Sequence, residues 1–357
     1  MFIHIDMDYF FAQAEELRHP EYKGKVIIVC VYSGRTKDSG VVSTVNYEGR
    51  KYGIHSGQAI YQAKSRAPPD SVFLPVDHEF YGELSDKINE IVAGHAESIG
   101  RTSIDEWFVE SENAEMLSKT LKNEIKEKVR MVCSIGVSPS MLGAKMAADK
   151  SKPDGLLVLD AKAEKKLIES SDVQKVVGIG KKTSDALFEL GVQKVADLKK
   201  LDKVAVVENF GKKTGAWLVA LGEGRYAGLL EYGEAEQSEV SRIGTLKEKS
   251  RDAGELLEKI IELEKDNREW LKLHNKFFRT IGITFVTEDM KIHTRSLSFR
   301  NPKGWSEDFR EQEITLIRQF LDENPLSVRR IGIKYANLVD VSGQKTLANE
   351  FSDLLEF

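Results

Sequence analysis

The segment Ile3-His4-Ile5-Asp6-Met7-Asp8-Tyr9-Phe10-Phe11 starts as an apolar strand and ends in acidic and aromatic residues. Strand side chains alternate between two faces, so Asp6 and Asp8 project to the same side. The isoleucines on the other side can anchor the segment in a core. A second segment, Ser103-Ile104-Asp105-Glu106, also places carboxylates at the edge of an apolar run. The two segments predict two strands whose ends carry acids.

Carboxylates that converge from separate strands repel each other, and divalent cations usually hold such groups together. Two cations roughly 3.5–4 Å apart form the clamp that enzymes use for in-line phosphoryl transfer. The pattern therefore indicates a cation-dependent phosphoryl-transfer site that contains Asp6 and Asp105. Spacing alone leaves one alternative open, namely that these residues are unrelated surface acids.

Length and composition are typical of a folded protein with several domains. The chain has 357 residues, of which 41% are hydrophobic and 31% charged, so two to four domains are expected. It contains no apolar run of about 18 residues that would predict a membrane span. Its two cysteines, Cys30 and Cys133, lie in apolar strand patterns without metal-ligand spacing. A cytoplasmic, reducing compartment without zinc is therefore expected.

The charge distribution is uneven along the chain. The formal net charge of −5 argues weakly against a nucleic-acid binder, because phosphate contacts need lysine and arginine. However, residues 240–339 have a small positive balance, while acids concentrate in the proposed cation site and near residues 231–239. The C-terminal third is therefore the part of the chain best suited to DNA.

Residues 1–160 alternate between strand and helix patterns, which predicts an α+β layer with an acidic sheet face open to substrate. The pattern predicts strands at 1–9, Val26–Tyr32, Val41–Thr44 and Met131–Val137, and a hairpin formed by Glu97–Ile104 and Trp107–Val109. It predicts helices at Phe10–Arg18, Asn46–Tyr52, Phe80–Gly94, Ala114–Val129 and Ala144–Lys150.

After about residue 161 the pattern becomes helical. Val176-Val177-Gly178-Ile179-Gly180-Lys181-Lys182, followed by a predicted helix at Thr183–Leu190, is typical of a helix-hairpin-helix. The glycines permit a tight turn whose backbone amides can hold a DNA phosphate. Phe210-Gly211-Lys212-Lys213 is a weaker second copy. A helical packing unit without DNA contact is the alternative.

A linker is predicted at 229–240, and a small βαββαβ sheet with two helices on one face follows it. On its strands, Arg295, Ser296, Ser298 and Arg300 alternate with apolar neighbours, and Arg329 and Arg330 open the last strand. Such a face can follow a phosphate backbone without reading bases; an ordinary solvated face is the alternative. The predicted elements are strand Arg242–Leu246, helix Ala253–His274, strands Arg279–Val286 and Arg295–Arg300, helix Ser306–Leu321 and strand Val328–Lys334.

The chain resembles a Y-family (translesion) DNA polymerase of the archaeal type over nearly its full length. The resemblance rests on stretches that occur in the family's order: Asp6-Met7-Asp8-Tyr9-Phe10-Phe11-Ala12-Gln13-Ala14-Glu15-Glu16, Tyr32-Ser33-Gly34-Arg35, Asn46-Tyr47-Glu48-Gly49-Arg50-Lys51-Tyr52-Gly53, Ser103-Ile104-Asp105-Glu106, Lys152-Pro153-Asp154-Gly155, Gly178-Ile179-Gly180 and Arg329-Arg330-Ile331-Gly332.

This resemblance implies an α+β multidomain fold, a right-hand polymerase with palm, fingers, helical thumb and βαββαβ little finger. The expected boundaries are palm at 1–9 and 75–160, fingers at 10–74, thumb at 161–228, linker at 229–240, little finger at 241–340 and a tail at 341–357.

The resemblance also implies roles for individual residues. Asp6, Asp105 and Glu106, with the backbone carbonyl of Met7, would ligate two Mg²⁺ ions, and Asp8 would be structural. Phe11 would be the steric gate that disfavours a ribose 2′-hydroxyl. The other expected contacts are to the triphosphate, from Tyr47, Arg50, Lys152, Thr44 and the backbone near Tyr9 and Phe10, and to DNA, from Gly178, Gly180, Lys181, Arg295, Arg329 and Arg330.

The implied function is template-directed addition of deoxynucleotides to a primer 3′-end, with low fidelity and bypass of template lesions. Primer-template DNA and dNTPs are the expected partners. Small residues match the roof over the nascent base pair and predict a roomy pocket: Val31, Gly40, Val41, Ser43 and Gly57. Two other classes remain as alternatives, a nucleotidyl cyclase that needs no DNA and a DNA-binding scaffold without catalysis.

Three places depart from the family pattern. Ser140-Met141 stands where many relatives have Asn-Lys, so a basic contact is expected to be lost. The linker is acidic, whereas close archaeal relatives have a basic one. The tail Gln344-Lys345-Thr346-Leu347-Ala348-Asn349-Glu350-Phe351 weakly resembles a sliding-clamp-binding peptide, and a plain amphipathic helix is the alternative.

Overall fold

The computed structural model describes residues 1–96, 98–230 and 237–340. The chain divides into two compact units, one of Met1–Tyr32 and Gly40–Glu234 and one of Ser33–Ser39 and Ala235–Phe357. The strands are β1 (Phe2–Met7), β2 (Ile27–Tyr32), β3 (Gly40–Val45), β4 (Val72–Pro75), β5 (Ile99–Arg101), β6 (Glu106–Glu110), β7 (Cys133–Ser138), β8 (Leu156–Val158), β9 (Glu239–Ser250), β10 (Lys276–Thr287), β11 (Ile292–Lys303), β12 (Val328–Ala336) and β13 (Val339–Asp340).

The α-helices whose bounds were predicted begin and end within a few residues of those positions. The α-helices are α1 (Phe10–Arg18), α2 (Tyr47–Arg50), α3 (Ile60–Arg66), α4 (His78–Ala93), α5 (Ala114–Glu124), α6 (Met141–Ser151), α7 (Ala161–Ser170), α8 (Lys181–Glu189), α9 (Lys203–Gly222), α10 (Ala253–Leu273) and α11 (Arg310–Glu323). No bounds were predicted for α3, α7 and α9. A π-helical turn, Ile125–Val129, continues α5.

The first sheet has the strand order β5-β6-β1-β7-β8, with β1 in its centre. Strand β1 runs antiparallel to both β6 and β7. Ile3 and Ile5 are fully buried in one core with residues of α4 and α5, as the alternation predicts. On the opposite face, α6 approaches the sheet so closely that a Cβ on Gly136 would lie 2.0 Å from the Ala144 carbonyl oxygen. One face of this sheet is therefore core, and the other carries α6 beside the acids.

A second, three-stranded sheet has the order β3-β2-β4. Its core includes Ile28, Cys30, Val42 and Ile60. The other face of β2 adds Ile27 and Val29 to the core of the first sheet, where Phe10 and the buried alanines of α1 also lie. Elements α3 and β4 were not predicted. Helix α3 has seven residues and buries only Ile60 and Ala63, which is too few for a periodic signal.

Helices α7, α8 and α9 share a separate apolar core within the first unit. Gly178 has φ +98°, and a Cβ there would approach the Trp217 ring to 3.0 Å, so this turn needs glycine. Helix α8 begins at Lys181 rather than at the predicted Thr183. Helix α9 is interrupted at Gly211, where φ is +77°, so the second glycine turn expected from the sequence is present.

The second unit contains the predicted βαββαβ order. Its sheet has the strand order β11-β10-β12-β9, and β13 pairs with β10. Helices α10 and α11 cover one face, where Ile281, Ile283, Ile331 and Ile333 are buried against them. Strand β9 already begins at Glu239, near the end of the predicted linker. Residues 231–236 of that linker and the tail 341–357 lie outside the described residues.

Cys30 and Cys133 are buried free thiols on β2 and β7, as predicted. Among the described residues, no helix combines the length and the apolar character needed to cross a membrane. The domain boundaries given above remain predictions.

Candidate active site

Backbone pairing brings the two acidic segments together. In the register of β1 and β6, Asp6 lies directly opposite Glu106. The Met7 amide donates a hydrogen bond of 3.0 Å to the Asp105 carbonyl oxygen. The carboxylates of the two segments therefore meet at one end of the β1–β6 pair, as the sequence predicts. The side chain of Asp105 accepts a hydrogen bond from the Ser103 hydroxyl at 2.5 Å.

Two lysines of α6 and its C-terminal cap neutralise this pair of acids. Lys152 Nζ lies 2.7 Å from Asp6 Oδ2. Lys145 Nζ lies 2.7 Å and 2.6 Å from the two carboxylate oxygens of Glu106. Lys152 was predicted from the sequence as a triphosphate contact, whereas Lys145 was not singled out. Its only sequence signal is the helical spacing of seven residues from Lys152.

The site also contains His4, which was not predicted as a site residue. Ligand atoms of His4, Asp6 and Glu106 all lie within 4.8 Å of one another. His4 is fully buried beside the Phe108 ring, and neither ring nitrogen has a hydrogen-bond partner among the described residues. Its position two residues before Asp6 on one strand was the available signal. Asp105 is not a member of this close group.

Burial dominates the electrostatics of the site. It raises the pKa of Asp6 to about 7, and the charges of Glu106 and Asp105 add to the rise while Lys152 opposes it. Burial also lowers the pKa of His4 well below its ordinary value, and Lys145 and Lys152 contribute to that change. Burial would lower the pKa of Lys152, but Asp6 and Asp149 outweigh it and the pKa is raised. The site thus favours added positive charge next to Asp6.

Asp8 is buried and makes structural hydrogen bonds. Its Oδ1 accepts from the Ser134 hydroxyl at 2.9 Å and from the Tyr47 hydroxyl at 3.1 Å. Its Oδ2 accepts from the Asp154 amide at 2.6 Å. Both carboxylate oxygens of Asp8 thus accept hydrogen bonds from protein donors, which agrees with the structural role expected for this residue.

Tyr47 and Arg50 lie together on α2, with the Arg50 guanidinium 4.7 Å from the centre of the Tyr47 ring. Tyr9, at φ 38° and ψ 45°, begins α1 and packs edge-on against Tyr47 at 5.2 Å. The first-turn amides of α1 therefore lie near these side chains, and such amides have no intrahelical acceptor. Thr44 lies on β3 beside Val29 of β2. Aromatic rings, a guanidinium group and free backbone amides, which could contact a bound anion, therefore lie in one region.

Phe11 lies on α1 and stacks on Tyr81 with ring centres 4.3 Å apart and planes 16° apart. Tyr81 is itself fixed, because its hydroxyl donates to Glu15 at 2.6 Å in a buried environment. Phe11 remains partly exposed. Its ring is therefore held in a defined orientation by α4.

The departure at Ser140-Met141 has a structural explanation. The Ser140 hydroxyl caps α6 by accepting from the Gly143 amide at 3.0 Å, and Glu164 accepts from the Ser140 hydroxyl at 2.7 Å. Met141 is buried against Phe108. A lysine at position 141 would place its stem in this apolar cluster, so the methionine here packs the helix.

The residues predicted to contact DNA from the helical region lie at the start of α8. Gly178 adopts the positive φ described above, and Gly180 is the N-terminal cap of α8. Lys181 is 87% exposed and pairs with Asp185 at 3.0 Å. The glycines and the lysine therefore surround the predicted anion-binding turn.

The sheet of the second unit, β11-β10-β12-β9, separates the predicted DNA contacts between its two faces. Arg330 lies opposite Val286 and adjacent to buried Ile331, so it projects to the face without helices. Its Nε is buried without a partner among the described residues. Arg329, the preceding residue, is half-buried. Ser296 and Ser298 occupy the same open face as Arg330, opposite Gly282 and Thr280.

Arg295 corrects the expectation of one shared face. It pairs with Ile283, whose side chain is in the core under the helices. The Arg295 guanidinium lies over the Phe320 ring at 5.9 Å and forms an ion pair with Glu323 of α11. Side chains do alternate along β11 as predicted, but this alternation places Arg295 on one face of the sheet and Ser296 and Ser298 on the other.

Comparison with known proteins assigns this geometry to a family. Residues 5–149 match the profile of the impB/mucB/samB family, and residues 237–348 match that family's C-terminal domain. The chain is 36% identical to "DNA polymerase IV" of Nitrosopumilus maritimus (strain SCM1), with 98% of each chain covered.

Solved structures give the same assignment. A Y-family DNA polymerase chimera of Dbh and Dpo4 aligns with a TM-score of 0.86 and 32% identity, covering 95% of this chain and 99% of the other. An insertion ternary complex of Dbh DNA polymerase aligns with a TM-score of 0.66, also at 32% identity and with the same coverage. The chain therefore belongs to the impB/mucB/samB family, the Y family of DNA polymerases, and is of the archaeal type.

Proposed function

We infer that the chain is a DNA-directed DNA polymerase of the translesion type, which adds deoxynucleotides to a primer opposite a damaged template. The observation that carries this conclusion is the pairing of Asp6 with Glu106 across β1 and β6, in a chain that matches its relatives from end to end. Neither a cyclase nor a non-catalytic scaffold accounts for both the full-length relationship and the intact acids.

We propose that Asp6, Asp105, Glu106 and the Met7 carbonyl hold two Mg²⁺ ions. The donor set fits hard divalent cations, which prefer carboxylate and carbonyl oxygen. The two lysine ammonium groups on Asp6 and Glu106 support the proposal, because they mark positions where the protein already accommodates positive charge. Bound cations would supply charge stabilisation to the transferring phosphoryl group.

The proposed role of the surrounding residues is to bind and orient the nucleotide. Arg50 offers a planar fork to phosphate oxygens and Lys152 offers a point charge. The hydrogen bond from the Tyr47 hydroxyl to Asp8 fixes the orientation of the Tyr47 ring before a nucleotide binds. Thr44 and the amides near Tyr9 and Phe10 would complete the cradle. Lys152 would have to exchange Asp6 for a phosphate oxygen when the triphosphate binds.

We propose two DNA-binding surfaces. The turn at Gly178, Gly180 and Lys181 would hold a backbone phosphate through amides and charge. Arg330 of β12 would contact the backbone from the open sheet face, and Arg329 next to it is a further proposed contact. The position of Arg295 on the helix-covered face argues against a direct DNA contact for this residue.

Phe11 is the proposed steric gate, and the small residues of β2 and β3 support a roomy nascent base-pair pocket. Val31 and Val41 are register partners that are 43% and 44% exposed, so the surface proposed as the roof is open to solvent. The clamp contact remains a prediction from the tail sequence 344–351.

Primer extension on an abasic template, with Mg²⁺ and dNTPs, tests the function. We expect metal-dependent extension past the lesion by the wild-type chain and loss of at least about 10³-fold in rate for Asp105→Ala, because a charge of the proposed reaction centre is removed. Duplex binding by Asp105→Ala should remain within about twofold of wild type. Extension by Asp105→Ala at the wild-type rate would overturn the assignment of this residue.

A further inference from the structure

One helix supplies a counter-ion to each of two paired strands. Lys145 lies inside α6 and Lys152 is its C-terminal cap, so two helical turns, or roughly 10 Å, separate them along the axis. Lys145 reaches Glu106 on β6, and Lys152 reaches Asp6 on β1. The two carboxylates that face each other across the strand pair are therefore neutralised from the same element.

The two ion pairs differ in the number of carboxylate oxygens that the lysine contacts. Lys152 Nζ contacts one oxygen of Asp6 and is shared with Asp149 at 3.2 Å. Lys145 Nζ lies within 2.7 Å of both oxygens of Glu106. The side chain of Lys145 is 16% exposed and that of Glu106 is 25% exposed. A cation that ligates Glu106 must therefore take an oxygen from Lys145.

The two lysines also differ in which ligand can compete for their ion pairs with the carboxylates. Lys152 lies at the C-terminal end of α6, and the proposed function gives it a triphosphate to bind. Lys145 lies two turns away, under the sheet and near buried His4. No nucleotide contact is proposed for Lys145, so the competitor that the proposed function gives to its ion pair is a cation bound by Glu106.

We propose that Lys145 is a positioning residue, a built-in counter-ion that holds Glu106 in the cation-free enzyme and competes with the incoming cation for it. This inference rests on the proposed function in taking Glu106 as a cation ligand. When a cation binds, it replaces the Lys145 ammonium as the positive partner of Glu106. A positive charge therefore offsets the repulsion between the carboxylates both before and after the cation binds. Affinity for a free cation is then set partly by Lys145.

Binding of Mn²⁺ to the full chain without DNA or nucleotide, followed by electron paramagnetic resonance of the free ion, tests the proposal. We expect Lys145→Met to bind Mn²⁺ about tenfold more tightly than wild type, since no ammonium has to be displaced from Glu106. Lys145→Arg keeps the charge and should bind within about twofold of wild type. Lys150→Met, an exposed lysine on the same helix, is the matched control and should not change the affinity.

Thermal unfolding of the same variants separates this role from a purely structural one. Lys145→Met should unfold at a lower temperature than wild type in chelator, and saturating Mn²⁺ should remove the difference. Unchanged or weaker Mn²⁺ binding by Lys145→Met, or an equal loss of stability with and without Mn²⁺, would overturn the proposal. Absence of primer extension by the wild-type chain would instead count against the proposed function, because neither of these measurements depends on turnover.

Discussion

At the residue scale, the orientation of Phe11 is decided by its partner rather than by its own helix. A partly exposed phenylalanine near a helix N-terminus has several rotamers available. The Tyr81 ring removes that freedom by stacking at 4.3 Å, and Tyr81 is itself tied to Glu15. The ring that is proposed to face the sugar is therefore preorganised by a buried tyrosine of α4.

Replacement of Phe11 by alanine should weaken the discrimination against ribonucleotides. The sugar 2′-hydroxyl would no longer meet an aromatic ring, and we expect the ratio of kcat/KM for a dNTP over the matching rNTP to fall at least about 100-fold, or about 2.7 kcal/mol. Single-nucleotide insertion with both substrates measures this ratio. Tyr81→Phe keeps the stacked ring and should retain most of the discrimination. An unchanged ratio in Phe11→Ala would exclude Phe11 as the gate.

The sequence predicted the carboxylates of the site better than their neighbours. Asp6 and Glu106 were predicted because strand alternation and strand ends have clear patterns. Lys145 and His4 were missed, because an interior helix lysine and a strand histidine are usually unremarkable. Their roles depend on the close approach of α6 to β1, which a glycine at position 136 permits. Sequence spacing alone does not contain that distance.

At the element scale, a buried charge network joins α10 and α11 in the second unit. Glu264 accepts hydrogen bonds from Arg268 Nε and the Tyr335 hydroxyl, each at 3.0 Å, and also pairs with Arg310. Glu313 accepts from Arg310 at 2.7 Å, and its Oε1 has no partner among the described residues. Two carboxylates thus share two guanidinium groups and a tyrosine.

The pKa values of the two carboxyl groups shift in opposite directions, although burial raises both. Burial raises the pKa of Glu313 to about 6, and the charge of Glu264 adds to the rise. Burial acts the same way on Glu264, but Arg310 and Arg268 outweigh it and hold its pKa below the ordinary value. The network therefore favours one ionised and one protonated carboxyl near pH 5.

We predict that Glu313 lowers stability as the pH rises. Its folded pKa lies above the ordinary value of 4.5, so its contribution is fully present below about pH 4.5 and is lost as the pH rises through about 6. Urea unfolding of wild type and Glu313→Gln at about pH 5 and pH 7 measures the effect. Wild type should lose about 1 kcal/mol relative to Glu313→Gln between these pH values.

Glu311→Gln, an exposed position on the same helix, controls for the loss of one surface charge and should track wild type. A parallel pH dependence in wild type and Glu313→Gln would contradict the pKa shift. Glu264 has the opposite sign and acts at a lower pH, so it does not mimic the expected change.

The sequence also predicted most elements of both units, because their amphipathic patterns are long. Helix α10 and strand β10 have well-defined periodicity, and both were predicted to within a few residues. The short elements α3 and β4 were missed for lack of length. Their positions depend on pairing, since β4 joins the sheet only through parallel contacts with β2.

At the scale of the whole molecule, a chain with net charge −5 is expected to bind a polyanion. The negative net charge does not conflict with DNA binding, because many of the acids are concentrated where cations are proposed to bind. In the sheet of the second unit, the open face has hydroxyls and glycines with Arg330, whereas Arg295 lies on the other face. DNA affinity should therefore depend on few basic residues and on which face they occupy.

The pair Arg330 and Arg295 tests this view of the second unit. Each phosphate contact contributes about 0.9 to the slope of log K against log salt concentration. We expect Arg330→Ala to lower the slope by about one and to weaken duplex binding at every sequence, because a backbone contact carries no base information. Fluorescence anisotropy with a labelled primer-template at several salt concentrations gives the slope.

Arg295→Ala removes the same charge from the helix-covered face, where Glu323 already neutralises it, so the slope should not change. Equal losses in the two variants would mean that total charge, rather than its placement on the open face, determines DNA binding.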